Sequence, residues 1–259
     1  MLHLLRKKVG PASRLSSPKI KTLLVLLVGP LLLFQSVQAQ YYPFSKVEMN
    51  RTDQDSKPYY FGMSLGINLA RFQTSLHPVF LASDSVYIAE PTNSGGITLG
   101  FQATARLSNR FQLRFNPQLM FVERNIHYRL KYPDINNETD VTKKVESIIA
   151  AFPIQLKFQS DRIGNFRVYT LLGFKADIDM ASNARAKKAE DLVKIEKYDF
   201  GPEFGIGFNF YFPSFIFSPE IKISNGLRNI HARDANLKFS NVFDKIQSRM
   251  IVFTIHLEG

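Results

Sequence analysis

The sequence contains no cysteine and no tryptophan, and it has no apolar run long enough to cross a membrane as a helix. Without cysteine the chain can form no disulfide and can carry no lipid on an N-terminal cysteine. Its longest apolar run, residues 23–34, has about a dozen residues, whereas a membrane-spanning helix needs roughly 20. These absences exclude a disulfide-stabilised domain, a lipoprotein and a helical protein of several spans.

The N-terminal residues predict export from the cytoplasm. Six basic residues and no acidic one precede the apolar run, and Val37, Gln38 and Ala39 place short side chains at positions −3 and −1 of a cleavage site. We therefore expect a signal peptide over 1–39 and a mature chain that starts at Gln40; a retained helical anchor is the alternative.

The charge balance argues against a nucleic-acid partner. The formal net charge is +11, but six of the 33 basic residues belong to the predicted signal peptide. The mature chain then keeps 27 basic and 22 acidic residues, a balance of about +5, which is too small to indicate a nucleic-acid surface.

Eight segments between residues 59 and 257 alternate large apolar side chains with small or polar ones. In the first segment Phe61 and Met63 alternate with Gly62 and Ser64, and the later segments repeat this period of two. The alternation predicts half-apolar β-strands. The segments begin near residues 59, 97, 111, 148, 166, 198, 215 and 250.

The connections between these segments alternate in length. Three are short: 108–110, 160–165 and 213–214. Four are long: 72–94, 129–146, 179–197 and 228–244. Short periplasmic turns, longer outer loops and an even number of strands are typical of bacterial outer-membrane barrels, the smallest of which have eight.

Charged side chains within the segments all have the parity of the small, polar face. An Arg or Lys facing lipid at mid-depth would cost roughly 2–4 kcal/mol, whereas inside a barrel it can pair. The pattern predicts a plugged lumen in which Glu203 and Glu220 pair with the basic side chains; a charged conduction path is the alternative. The predicted lumen network comprises Arg106, Arg114, Lys157, Arg167, Lys175, Glu203, Glu220 and Lys222.

The fold predicted from these patterns is all-β: an eight-stranded antiparallel up-and-down transmembrane β-barrel of the outer-membrane type. The barrel is expected over 59–259, behind a cleavable N-terminal signal peptide over 1–39 and a flexible periplasmic lead over 40–58. Prolines interrupt the predicted strands, where each removes a ladder hydrogen bond, so we expect bulges at them. They are Pro117, Pro153, Pro202 and Pro219.

Basic residues in the predicted surface loops could carry a function. Lys143, Lys144, Arg185, Lys187 and Lys188 could contact lipopolysaccharide phosphates or a partner protein, or simply face solvent.

An enzyme active site is the weaker hypothesis. His127 with Glu123 or Ser147 is the one arrangement that resembles a hydrolytic site. No spacing of His or carboxylate residues indicates a metal site, and we expect no enzyme activity, no cofactor and no small-molecule substrate.

Three blocks resemble a known family. They are Tyr60-Phe61-Gly62-Met63-Ser64-Leu65-Gly66-Ile67-Asn68, Gly95-Gly96-Ile97-Thr98-Leu99-Gly100 and Asp199-Phe200-Gly201-Pro202-Glu203-Phe204-Gly205-Ile206-Gly207. Together with the Ala39-Gln40 cleavage site, they are similar to the PorT (also called SprT) proteins of Bacteroidota. The resemblance covers the whole predicted barrel.

This resemblance implies an integral outer-membrane component of the type IX secretion system. Such a component would be needed to export cargo with a C-terminal sorting domain and, in gliding species, for motility. Its partners would be outer-membrane lipid, lipopolysaccharide and other type IX secretion proteins. The alternative is a small structural or adhesive barrel whose loops bind a ligand or lipopolysaccharide outside the cell.

Overall fold

The computed structural model describes residues 48–78, 86–133, 138–182, 193–232 and 239–259. All of them belong to one compact unit, Val47–Gly259. Within these ranges no helix has the length and apolar character needed to span a membrane. The predicted signal peptide lies outside the described residues. The strands are β1 (Tyr59–Leu76), β2 (Val86–Thr92), β3 (Ser94–Arg106), β4 (Phe111–Phe115), β5 (Gln118–Leu130), β6 (Asp140–Gln159), β7 (Phe166–Asp179), β8 (Tyr198–Tyr211), β9 (Ile216–Asn225) and β10 (Phe243–Glu258).

The ten strands form eight positions in one closed antiparallel ring. Strands β2 and β3 follow one another with only Asn93 between them, and β4 and β5 are separated by Asn116 and Pro117. Pairing runs from β1 through β3, the β4–β5 pair and β6 to β10, and β10 returns to β1. The eight-stranded up-and-down barrel predicted from the alternation is therefore confirmed.

The two ends of the barrel differ as the connection lengths predicted. At one end, the turn side, the strands are joined by 107–110, 160–165 and 212–215. The first of these is a tight hairpin in which the Leu107 amide donates to the Phe111 carbonyl at 3.0 Å. In the second, Gly164 adopts a left-handed φ of 59°, which favours glycine. The opposite end is the loop side.

The four strand prolines do not form the predicted bulges. The pairing register is the same on both sides of Pro153, Pro202 and Pro219, and the register shifts lie elsewhere, at Ser75/Leu76 and in β2. A proline lacks only the amide proton, so its carbonyl can still pair. The carbonyl of Pro117 accepts from the Phe101 amide at 3.0 Å. Pro117 instead interrupts the ladder and separates β4 from β5.

An apolar band surrounds the outside of the barrel. On β1 it extends from Tyr59 to Leu69, and large apolar side chains such as Leu65 and Phe204 expose more than half of their surface there. That length agrees with the roughly 9–11 residues that a tilted strand needs to cross the hydrocarbon layer. In a lipid bilayer this surface contacts acyl chains, because transfer of apolar surface from water to an apolar environment lowers the free energy.

Several strands continue beyond the band on the loop side, and their pattern inverts there. β1 has 18 residues and β6 has 20, about twice the spanning length. In β5, Ile126 and Tyr128 point inward and are buried, whereas Asn125 and Arg129 point outward. We call this part of the barrel the loop-side extension; it encloses an apolar core that includes Phe72, Val86, Tyr128, Phe239 and Phe243.

The extension corrects two predicted loops. Residues 72–76 belong to β1 and 86–92 form β2, although 72–94 was predicted as a loop. Residues 140–146 likewise belong to β6 and not to the predicted loop 129–146. Beyond the membrane the outer surface of the barrel faces water, so apolar side chains point inward and polar side chains point outward. This alternation is the reverse of the one in the membrane, and it was therefore not recognised as part of the strands.

Candidate functional site

The structure places the predicted lumen residues at three heights inside the barrel. Seven of the eight are buried, and Arg106 is half-buried at the turn side. Five of them form one ion-pair network in the turn-side half, two contact the segment before β1, and Lys175 belongs to a separate layer towards the loops. We call the first group the Glu220 network: Arg114, Lys157, Glu203, Glu220 and Lys222.

Glu220 is the centre of this network. Its Oε2 accepts a hydrogen bond from Arg114 Nη1 at 2.7 Å and another from the Tyr169 hydroxyl at 2.7 Å. His256 Nε2 lies 3.3 Å and Lys222 Nζ 4.0 Å from its other oxygen. The side chains of Glu220 and Arg114 are fully buried, so the pair is shielded from water. A buried carboxylate needs this many partners, because its desolvation is costly.

A second carboxylate extends the network to the end of the chain. Arg114 Nη2 lies 3.4 Å and Lys157 Nζ 3.8 Å from Glu258 Oε1. Lys157 Nζ also stands 3.8 Å from the centre of the Tyr169 ring, an attractive arrangement of a cation over an aromatic face. Three residues that contact the Glu220 network, Tyr169, His256 and Glu258, were not among the predicted site residues. Their inward parity is the signal that could have identified them.

Glu203 closes the network on the neighbouring strand. Its carboxylate accepts a hydrogen bond from the Gln155 amide, and its Oε2 lies 3.8 Å from Lys222 Nζ. The structure thus brings Glu203 and Glu220 together around Lys222, and Arg114 contacts both Glu220 and Glu258.

The segment before β1 covers the turn side of the barrel. A 3-10 turn over Thr52–Asp55 lies there, and the Asp55 carboxylate pairs with Arg167 at 3.0 Å and with Arg162 at 3.2 Å. Arg106 donates to the carbonyls of Gln54 and Lys57. We call residues 48–58 the strap.

The strap is the described part of the lead predicted over 40–58. Residues 48–58 are held by Arg106, Arg162 and Arg167, and 40–47 lie outside the described residues. On the outer surface of the strap, a hydrogen bond from Lys57 lowers the pKa of the Asp53 carboxyl below its ordinary value. The sequence of the lead gave no sign of these contacts, because the partner residues, Arg106, Arg162 and Arg167, are far from it along the chain.

A second charged layer lies between the Glu220 network and the loop-side extension. Arg124 contacts Asp179 at 3.6 Å and donates to Ser147 at 2.8 Å, and Lys175 pairs with Asp177 on the same strand. The cavity beside Arg124 has a volume of only about 20 Å³, which is close to the room needed by one water molecule.

The interior is filled between and above the two charged layers as well. Met120, Val122, Ile149 and Met250 form an apolar layer at mid-height, and the larger core of the extension lies above Arg124. The buried side chains of the described residues therefore favour a structural role for the charges, since an open conduction path would need a continuous polar channel.

Two of the predicted surface-loop lysines lie on a strand. Lys143 and Lys144 belong to β6, where Lys144 is exposed and Lys143 is half-buried with its ammonium 4.6 Å from the Phe239 ring centre. The prediction that both lie in a loop is therefore wrong, because β6 begins at Asp140. The other predicted contacts, Arg185, Lys187 and Lys188, lie outside the described residues.

The arrangement predicted for a hydrolytic enzyme is divided between two faces of the wall. His127 points outward and lies 3.5 Å from Asp140, while Ser147 points inward and is hydrogen-bonded to Arg124. Glu123 is on the outer face and accepts from Asn125 and Ser94. His127 therefore cannot activate the Ser147 hydroxyl. In the described ranges no three His, Asp or Glu side chains are grouped as metal ligands would be.

Tyr169 depends on a glycine of the neighbouring strand. Tyr169 pairs with Gly207, and a Cβ at Gly207 would overlap the Tyr169 ring. We expect Gly207→Ala to lower the free energy of unfolding by about 1–3 kcal/mol, because the ring would have to leave Glu220 and Lys157. Guanidinium unfolding in phospholipid vesicles, followed by circular dichroism, measures this.

The matched background for that substitution is Tyr169→Ala. Without the ring, adding Gly207→Ala should cost less than about 0.5 kcal/mol, since contacting residues couple and the overlap is gone. An equal cost in both backgrounds would show that the backbone, and not Tyr169, requires glycine at this position.

A family model described as "Outer membrane protein beta-barrel domain" matches residues 38–232. Among curated proteins none matches the chain significantly. Three similar solved structures are Neisserial surface protein A (10% identity, 76% of this chain and 96% of that chain, TM-score 0.37), Ail of Yersinia pestis in complex with the heparin analogue sucrose octasulfate (8%, 78% and 100%, TM-score 0.36) and OprG from Pseudomonas aeruginosa (13%, 76% and 93%, TM-score 0.37).

Proposed function

The chain belongs to the outer membrane protein beta-barrel domain family, and we propose that it is a non-enzymatic component of the type IX protein secretion machinery. The protein lies in the outer membrane. In this role it supports the export of cargo with a C-terminal sorting domain, and its partners are other secretion proteins together with outer-membrane lipid and lipopolysaccharide.

The filled interior is the observation that carries this proposal. Arg114 and Glu220 occupy the turn-side half, Arg124 the level above, and an apolar core the extension. Interior side chains of an eight-stranded barrel leave no room for a folded or extended polypeptide. The protein therefore serves export by holding other components, and not by conducting cargo through its own lumen.

The specific assignment to type IX secretion rests on the three sequence blocks that resemble PorT proteins. One of them, 199–207, contains Glu203 and Gly207, and so contributes to both the Glu220 network and the Tyr169 contact. The separation of His127 from Ser147 supports a non-enzymatic role. The loop-side extension offers a polar outer surface for partners.

That same extension also favours the second candidate function, a structural or adhesive barrel. A polar surface carried well beyond the apolar band could bind a ligand outside the cell as readily as a secretion partner. The two candidates differ in what the cell loses when the protein is removed.

Deletion of the gene tests the proposal. We expect cargo with a C-terminal sorting domain to disappear from the medium and to accumulate in the cells, as measured by quantitative mass spectrometry of both fractions. Secreted proteins without that domain are the internal control, and complementation with the wild-type gene should restore export. Normal cargo export in the deletion strain would leave the adhesive barrel as the better interpretation, and altered lipid A mass would indicate an enzyme.

A further inference from the structure

Two arginines face each other directly on the outside of the barrel. Arg71 of β1 pairs in register with Arg249 of β10, and both side chains are exposed on the outer surface. Residues directly opposite in an antiparallel pair have Cβ atoms about 4.5–5.5 Å apart, and like charges at that distance destabilise the sheet. The repulsion calls for a compensating negative charge.

The protein does not supply that charge within the described residues. Neither Arg71 nor Arg249 forms an ion pair or a side-chain hydrogen bond there, whereas Arg124 and Arg129 in the loop-side half do. Arg129 pairs with Asp140 at 3.0 Å, and Arg124 contacts Asp179. Arg71 and Arg249 thus differ from Arg124 and Arg129 in having no acidic partner among the described residues.

The position of the pair identifies the kind of anion. Arg71 and Arg249 stand at the loop-side boundary of the apolar band, directly above Leu69 and Ile251 of the same two strands. A groove of about 460 Å³ is lined by both arginines, Leu69, Ile251, Ile223 and Gln73. It therefore offers cationic donors at the level of lipid headgroups and apolar walls at the level of acyl chains.

We propose that Arg71 and Arg249 bind a phosphate of a phosphorylated glycolipid, of the lipid A type, in the outer leaflet. The loop side is the extracellular side of such barrels, so the headgroups at this level belong to the outer leaflet. Two guanidinium groups match phosphate oxygens through paired hydrogen bonds, and Leu69, Ile223 and Ile251 contact the acyl chains. This inference specifies where the lipopolysaccharide named among the partners of the proposed function binds, and its test does not depend on secretion.

The opposite wall shows that the positive site is local. At the same boundary, Glu123 of β5 and Glu146 of β6 are also directly opposed, and both are on the outer face. A generally basic rim would attract anions from every side, but here the basic and acidic pairs lie on different parts of the wall. A bound phosphate is therefore expected at the β1–β10 face.

Binding of purified lipid A tests the proposal. The full mature protein in neutral detergent micelles is titrated with diphosphoryl lipid A and, separately, with the same lipid after removal of its phosphates. We expect Arg71→Gln/Arg249→Gln to weaken binding of the phosphorylated lipid at least tenfold and to leave the weak binding of the dephosphorylated lipid unchanged. The matched control, Arg110→Gln/Arg129→Gln, removes the same charge from two exposed ion pairs and should bind like wild type.

Stability provides a second readout that a folding defect cannot imitate. Without lipid, the Arg71→Gln/Arg249→Gln variant should unfold at the same or a higher guanidinium concentration than wild type, because a repulsion is removed. Lipid A should raise the unfolding midpoint of wild type and not that of the variant. Equal affinity for both lipids, an equal loss in the control, or equal binding of phosphatidylglycerol would overturn the proposal.

Discussion

Replacement of Glu220 by Gln is expected to lower the free energy of unfolding by about 3–5 kcal/mol, the cost of removing one partner from a buried ion pair. The carboxylate accepts from Arg114 and Tyr169, both at 2.7 Å, and lies near His256 and Lys222. Gln keeps the shape but removes the charge, so the buried Arg114 loses its closest counter-ion. Guanidinium unfolding in phospholipid vesicles gives the value.

Two further variants identify the cause of that loss. Arg114→Gln/Glu220→Gln should be destabilised by clearly less than the sum of the two single variants, because each single change leaves a buried charge behind. Glu90→Gln, on the exposed side of β2, applies the same chemical change outside the network and should stay within about 0.5 kcal/mol of wild type. A similar loss in Glu90→Gln and Glu220→Gln would rule out burial as the reason.

The barrel wall within the membrane could be predicted from the sequence because the two faces of every strand lie in different environments. Lipid outside and packed polar groups inside force a period of two, and Phe61, Phe204 and Ile221 all have the outward parity that this period assigns. The short turn at 108–110 followed from the three residues between two such segments. Parity also determined which charges lie inside, independently of any partner.

The loop-side extension could not be predicted in the same way, because the solvent outside it changes. Past Phe121 the apolar side chains Val122 and Ile126 point inward, and Glu123 and Arg129 point outward. The alternation continues, but its phase is that of a water-exposed strand over an apolar core. Reading the same period with inverted polarity would have extended β5 and β6 to the ends that the structure shows.

Which interior charges pair with one another could not be predicted from parity, because parity shows only which side of the wall a side chain is on. Glu258 was missed because the last strand was expected to stop at Leu257, and Asp55 because it precedes the first strand. Both carboxylates pair with predicted residues, Arg114 and Arg167 respectively. Which inward side chains meet depends on strand register and on where the strap crosses the barrel end, and neither follows from local sequence.

The apolar band makes a second large effect expected at Ile206. This residue lies at the middle of β8, points outward, and has Thr170 and Ile221 as its neighbours on the adjoining strands. Ile206→Arg should lower the free energy of unfolding in bilayers by about 2–4 kcal/mol, because a guanidinium at mid-depth loses its hydration. Guanidinium unfolding in vesicles, compared with Ile206→Leu, measures the cost of the charge separately from the change in shape.

An arginine introduced on the outer face of the loop-side extension separates the cost of facing lipid from any general effect of a new arginine on the barrel. Thr142 is exposed on the outer face of β6 beyond the apolar band, so Thr142→Arg places a guanidinium in water and should change the unfolding free energy by no more than about 0.5 kcal/mol. The difference between the two variants should shrink when both are unfolded from detergent micelles with thin apolar layers, since the guanidinium introduced by Ile206→Arg can then reach water. If Thr142→Arg were as costly as Ile206→Arg in vesicles, the lipid boundary would have to lie beyond the extension, and β1 and β6 would be buried in the bilayer along their full length.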